Sequence, residues 1–124
     1  MATILLIDND DGERLILQAM LQQAGHHVLT AESGKIAFRL LEHQVVDLVL
    51  VDIFMPEMDG LEVTQQLCKT RPACKIIAIS GGEGERDYLH IVKLLGAHDC
   101  LRKPFHPQAL LDAIAAQVRS PETL

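Results

Sequence analysis

Four kinds of side chain stand where this chain could do chemistry. An acidic run, Asp8-Asn9-Asp10-Asp11, follows the apolar stretch Ile4–Ile7. Asp52 follows Leu48–Val51, Ser80 closes the run Lys75–Ser80, and Lys103 stands immediately before Pro104. Carboxylates are hard oxygen donors and suit a hard cation. A lysine supplies a compact positive charge for an anion, and a hydroxyl can donate a hydrogen bond. Each has a plainer reading when taken singly. Asp10 or Asp11 can N-cap the helix that follows, Ser80 can simply end a strand, and Lys103 can be solvated. Asp52 is harder to dismiss, because an acid directly after Leu-Val-Leu-Val stands at the edge of a core and needs a partner.

The elements that must position these residues alternate. Ile4–Ile7 reads as a first strand, followed by a helix over Gly12–Ala24 in which Leu15, Ile16, Met20 and Leu21 recur at helical spacing. Gly25 is placed to stop that helix. Val28–Ala31 reads as a weak second strand. Ser33 is the N-cap expected for a helix to about His43, with Ile36, Ala37, Leu40 and Leu41 on one face. Leu48–Val51 is a third strand, and a Pro-Glu-Met-Asp-Gly turn leads into a helix over Leu61–Lys69 with Val63 and Leu67 inward. Lys75–Ser80 is a fourth strand. A glycine-rich connector, read as mobile, leads to a helix over about Asp87–Leu95, stopped by Gly96. Asp99–Leu101 is a short fifth strand, and Gln108–Val118 is the last helix.

Strands that are apolar throughout are buried on both faces. Joined by helices, they imply a parallel sheet wound by right-handed crossovers. The predicted fold is therefore α/β: a five-stranded, parallel, doubly wound sheet flanked by five helices, a flavodoxin-like three-layer sandwich. Such sheets bind ligands beyond the carboxyl ends of their strands. Asp8, Asp52, Ser80 and Lys103 all fall at those ends, so they converge on one rim.

The composition sets limits on function. The 124 residues make a single domain, with a core over about 3–118, and 48% of them are hydrophobic, enough for a core without staples. Eleven basic against seventeen acidic residues leave a net charge of −6. That excludes nucleic-acid binding through bulk charge and tolerates a cation site. Cys68, Cys74 and Cys100 form no CxxC pair, so they read as reduced, partly buried thiols in a cytoplasmic protein. The longest apolar stretch is cut by Asp47 and Asp52, and no run approaches the roughly 20 residues needed to cross a membrane. Two nucleotide signatures also fail. A GxGxxG spacing from Gly82 meets Asp87, and Gly34-Lys35 has Leu29 where a phosphate-cradling loop needs its first glycine. His26 and His27, adjacent on a strand, point to opposite faces and do not form a metal pair. His43, His90, His98 and His106 read as surface residues.

Four landmarks in order, Ile4–Asp10, Val51–Gly60 (VDIFMPEMDG), Ala78–Gly82 (AISGG) and Leu101–Phe105 (LRKPF), make the chain resemble the receiver domains of two-component response regulators. The resemblance covers about residues 3–118 and implies a role for each rim residue. Asp52 would be the phosphoacceptor, Ser80 the switch hydroxyl, and Lys103 the lysine that contacts the phosphoryl group. Magnesium would be held by Asp8, Asn9, Asp52 and the backbone carbonyl of Phe54. The Lys103–Pro104 bond would be cis. The chemistry suits these residue types. A carboxylate can attack phosphorus to give an acyl phosphate, and phosphoryl transfer needs mainly positioning and charge neutralisation.

Two positions depart from the family pattern. Asn9 stands where a second carboxylate is usual, so metal affinity should fall. Cys100 stands where an aromatic switch residue is common, and it reads as a small buried hydrophobe rather than a redox group. The resemblance further implies a sensor histidine kinase or phosphotransfer protein as phosphodonor and a downstream protein as target, with no direct nucleic-acid or membrane contact. The docking face would be the fourth helix, fifth strand and fifth helix, including Tyr88, His90, Cys100, Arg102 and Asp112. Nothing after the last helix reads as a DNA-binding segment, so the chain is expected to be a stand-alone receiver or a piece of a larger regulator. The alternatives are a degenerate receiver that binds partners without phosphorylation and a small nucleotide-binding flavodoxin-like enzyme.

Overall fold

The computed structural model describes residues 1–53, 55, 60–81 and 86–118, with the side chains of 86–89 outside that description. Strands and helices alternate as β1 (Thr3–Ile7), α1 (Asp11–Gln23), β2 (His27–Ala31), α2 (Gly34–Leu41), β3 (Leu48–Asp52), α3 (Gly60–Thr70), β4 (Lys75–Gly81), α4 (Arg86–Leu94), β5 (Asp99–Lys103) and α5 (Pro107–Val118). The five strands form one sheet in the order β2-β1-β3-β4-β5, and every pair is parallel. The chain leaves β1 to one side for β2 and crosses to the other for β3. The winding therefore reverses between β1 and β3, the place where such sheets open a crevice for ligands.

Alternation along the strands splits the core into two layers. Leu5, Ile7, Val49, Val51, Ile76 and Ala78 face α2, α3 and α4 through Ala37, Leu41, Val63, Leu67 and Val92. Ile4, Leu6, Leu48, Leu50, Ile77 and Ile79 face α1 and α5 through Leu17, Leu21, Leu110, Ala113 and Ile114. The central strands β1, β3 and β4 are buried on both faces, as continuous apolar strands require, while the edge strands β2 and β5 are only partly buried.

The helix signals hold where a backbone reason exists. Asp10 is the N-cap of α1 and accepts from the Glu13 N–H at 2.9 Å; Ser33 caps α2 by accepting from Ile36. Gly25 and Gly96 adopt positive φ of 95° and 121°. The Lys103–Pro104 bond is cis. Boundaries move by a residue or two, and β5 runs on to Lys103, so the lysine ends a strand.

Two readings are corrected. Leu15 and Ile16 do not face the core; they are 67% and 69% exposed, and α1 buries Leu17 and Leu21 instead. Helical spacing alone fits either stripe, and docking on the sheet chooses between them. His26 lies before β2 rather than on it, and its Nδ1 accepts from the Ala2 N–H at 3.1 Å. His98 is exposed, as expected of a surface residue, and its Nδ1 also accepts from the Ile76 N–H at 3.0 Å. The glycine-rich connector 82–85 and Phe54 lie outside the described residues.

Candidate phosphoacceptor site

β1 and β3 run side by side with Ile7 opposite Val51, so Asp8 and Asp52 leave the sheet together at its carboxyl edge. Asp52 is opposite Ile79 on β4, which sets Ser80 one step beyond it. Gly81 is opposite Lys103 on β5. Parallel register thus turns four distant positions in sequence into one rim.

Asp8 is buried, at 1% exposure. Its backbone N–H still bonds the Ala31 carbonyl at 3.1 Å, and its Oδ1 accepts from the Asp10 N–H at 2.9 Å. Arg14 clamps the same turn: its Nη1 donates to the Asp8 carbonyl at 2.7 Å and its Nη2 to Asp11 at 2.6 Å. Asp52 is 13% exposed at its side chain and Ser80 is fully buried. Lys103 Nζ lies 3.7 Å from Asp52 Oδ2.

Two glycines make this approach possible. A Cβ on Gly60 would sit 2.3 Å from Ile53 Cα and 2.5 Å from the Asp52 carbonyl, so only glycine lets α3 start against the end of β3. A Cβ on Gly81 would press on the Lys103 stem at 2.8 Å. Gly81 leaves that stem the room to lie along the sheet edge.

The sequence reading missed one residue of the rim. Glu13, on the first turn of α1, forms an ion pair with Lys103 Nζ through its Oε1. Its carboxylate joins Asp8 and Asp52 in a group in which one oxygen from each residue lies within 4.8 Å of the others. The available signal pointed elsewhere, because Asp10 followed three residues later by Glu13 has the spacing of a helix-capping box. Asn9, in contrast, is exposed.

The electrostatics follow from this crowding. Burial, with the Glu13 and Asp52 carboxylates adding to it, pushes the Asp8 carboxyl up to about 7, against the opposing bond from the Asp10 N–H. Burial pulls the Lys103 ammonium down, but the Glu13 hydrogen bond and the charges of Asp52, Glu13 and Asp8 outweigh it and raise it above the ordinary lysine value. Three acidic side chains and one ammonium thus share a small volume with an excess of negative charge.

The family model for the response regulator receiver domain matches residues 4–115. The chain belongs to the response regulator receiver domain family. Receiver domains are phosphoacceptor modules of two-component signalling. Protein PilH of Pseudomonas aeruginosa is 38% identical over 118 residues, which cover 94% of this chain and 97% of PilH. The alkaline phosphatase synthesis transcriptional regulatory protein PhoP of Bacillus subtilis is 31% identical over 119 residues, 96% of this chain but 49% of PhoP. The chain therefore spans about half the length of that relative. A receiver domain crystal structure from Clostridium thermocellum superposes with a TM-score of 0.90 at 30% identity, covering 95% of this chain and 94% of that one.

Of the docking face, His90, Arg102 and Asp112 are exposed and Cys100 is half-buried, while the Tyr88 side chain lies outside the described residues. Burial pushes the Cys100 thiol up, and Cys100 packs against the core layer under α4. The thiol is thus half-buried rather than buried, and it packs against the core as a small hydrophobe does. Among the described residues, no helix is long and apolar enough to cross a membrane.

Proposed function

We propose that Asp52 is the residue of this receiver that accepts the phosphoryl group, from a sensor histidine kinase or a phosphotransfer protein. The observation behind this reading is the convergence at the winding reversal: Asp52 leaves β3 beside buried Asp8, with the Lys103 ammonium 3.7 Å from its Oδ2. An Asp52 oxygen attacks phosphorus, the bond from phosphorus to the donor breaks, and the donor leaves with that electron pair. Lys103 offers its ammonium to a phosphoryl oxygen, and the buried Ser80 hydroxyl donates a hydrogen bond to another. The partner that reads this change would be a downstream protein meeting the α4–β5–α5 face, in a cytoplasmic signalling pathway served by this single domain.

The donor set fits magnesium. Asp8 and Asp52 are all-oxygen ligands on fixed strand ends, and the pressure that raises the Asp8 carboxyl is what a dication relieves. When bound, magnesium neutralises charge on the phosphoryl group. Asp8 and Asp52 would hold it, with Asn9 and the Phe54 carbonyl as the family pattern suggests.

The test is labelling of the parent and Asp52→Asn with acetyl phosphate and magnesium, followed on phosphate-affinity gels. The parent should take one label and the variant none. Label retained in the variant, on any residue but Asp8 acting as a bypass, rules out Asp52.

A further inference from the structure

Lys103 has two anionic neighbours of different strength. Glu13 Oε1 is in direct contact with its Nζ, whereas Asp52 Oδ2 is 3.7 Å away. The ammonium is therefore engaged sideways, on α1, and only approached by the strand-end carboxylate. We infer that Glu13 is a positioning residue that holds Lys103 away from Asp52 in the unphosphorylated protein and must release it when Asp52 is phosphorylated. The inference rests on Asp52 being the phosphoacceptor.

The charges make this a competition. Phosphorylation replaces one negative charge by about two and brings three acceptor oxygens onto the rim. The lysine is then drawn from Glu13 to the phosphoryl group. The Glu13 side chain is 31% exposed as a whole but its Oε1 is buried, so releasing Lys103 means turning that carboxylate outward towards solvent. It also borders an open groove of about 520 Å³ with Ile16, Pro104 and Phe105. Asp8 and Asp52, fixed at buried strand ends, have no comparable freedom. The ion pair ties the first turn of α1 to the end of β5, so its release changes what joins those two elements. A second consequence concerns entry: while Glu13 occupies Lys103, an anionic phosphodonor meets a rim whose cation is already taken.

The experiment compares the parent with Glu13→Gln, Glu13→Ala and Asp11→Asn. The last removes one exposed carboxylate from the same turn, on Arg14 and away from Lys103. Breaking a partly exposed ion pair releases only a modest attraction. Glu13→Gln and Glu13→Ala should therefore take label from acetyl phosphate about two- to fivefold faster than the parent at fixed ionic strength, with Asp11→Asn near the parent. Without any donor, the Lys103 side-chain NMR signals should shift in both Glu13 variants and hold still in Asp11→Asn. Unmoved Lys103 signals, or Glu13 variants that label no faster than Asp11→Asn, overturn the inference. A parent that takes no label at all would instead sink the Asp52 assignment, and the donor-free NMR comparison would still decide whether Glu13 holds the lysine.

Discussion

The two edges of this sheet use polar side chains in opposite ways. At the amino edge they serve the backbone. His26 Nδ1 accepts from the Ala2 N–H, Asp47 Oδ2 accepts from the Thr3 N–H at 2.8 Å, and His98 Nδ1 accepts from the Ile76 N–H. Each satisfies a donor where β1 or β4 begins. At the carboxyl edge, Asp8, Asp52, Glu13 and Lys103 are arranged mainly against one another, and three of them carry the same sign. The first edge lowers the free energy of the fold. The second leaves a crowd of charges that a cation and a phosphoryl group can rearrange. The difference teaches where to look for function in such a sheet: at polar groups whose needs the fold itself leaves in conflict.

The comparison breaks most sharply with pH. The Asp8 carboxyl is raised from its ordinary 3.8 to about 7 in the folded chain. Between those values the folded state binds more protons than the unfolded one, so metal-free stability falls as pH rises from about 4 to about 7. Relative to Asp8→Asn, the parent should lose at most about 4 kcal/mol across that window, measured by urea unfolding with a chelator present. A parent and variant that change in parallel would show that Asp8 is not under pressure.

A backbone change at the carboxyl edge comes next. Gly60→Ala drives a methyl into the Ile53 backbone at 2.3 Å, which cannot yield like a side chain. It should cost about 3 kcal/mol and slow labelling by displacing the end of β3. Thermal melts and labelling measured together would check that the two losses coincide.

The amino edge should respond in stability alone. His98→Ala leaves the Ile76 N–H without its partner and should cost about 1–2 kcal/mol, with the acetyl phosphate labelling rate unchanged. Burial first, then the Lys75 charge, lowers the His98 imidazole below its ordinary 6.5. Its contribution is therefore complete above 6.5 and is lost as pH falls below that value, the reverse of the need for low pH at Asp8. A labelling defect in His98→Ala would blur the contrast between the edges.

The smallest expected effect sharpens it. Asn9→Asp adds a carboxylate at an exposed position, where solvent screens most of its attraction for a cation. Magnesium affinity by calorimetry should rise only severalfold, less than a buried ligand would give. Asp10→Asn is the control, because Asp10 serves as the N-cap of α1. If Asp10→Asn alone abolished binding, Asp10 would be the ligand.

Much of this was legible in the residues. Apolar strands that end in Asp8, Asp52 and Ser80 mark the parallel sheet and the rim, because a strand buried on both faces cannot carry a charge until it leaves the core, whereas Lys103 closes an edge strand that already carries Asp99 and Arg102. Asp10 and Ser33 announce helix starts through a side chain bonding the backbone three residues on, a local interaction that needs no other part of the fold. What the sequence could not decide depends on contacts between segments far apart. Helical spacing allows either stripe of α1 inward, and only docking on the sheet buries Leu17 and Leu21 and leaves Leu15 and Ile16 outside. His26 and His98 find their donors across 24 and 22 residues. Glu13 looks like half of a capping box until β5 brings Lys103, ninety positions later in the chain, against it. Local chemistry is written in local spacing, whereas the choice of a charge's partner is made by whichever strands and helices the tertiary fold sets side by side.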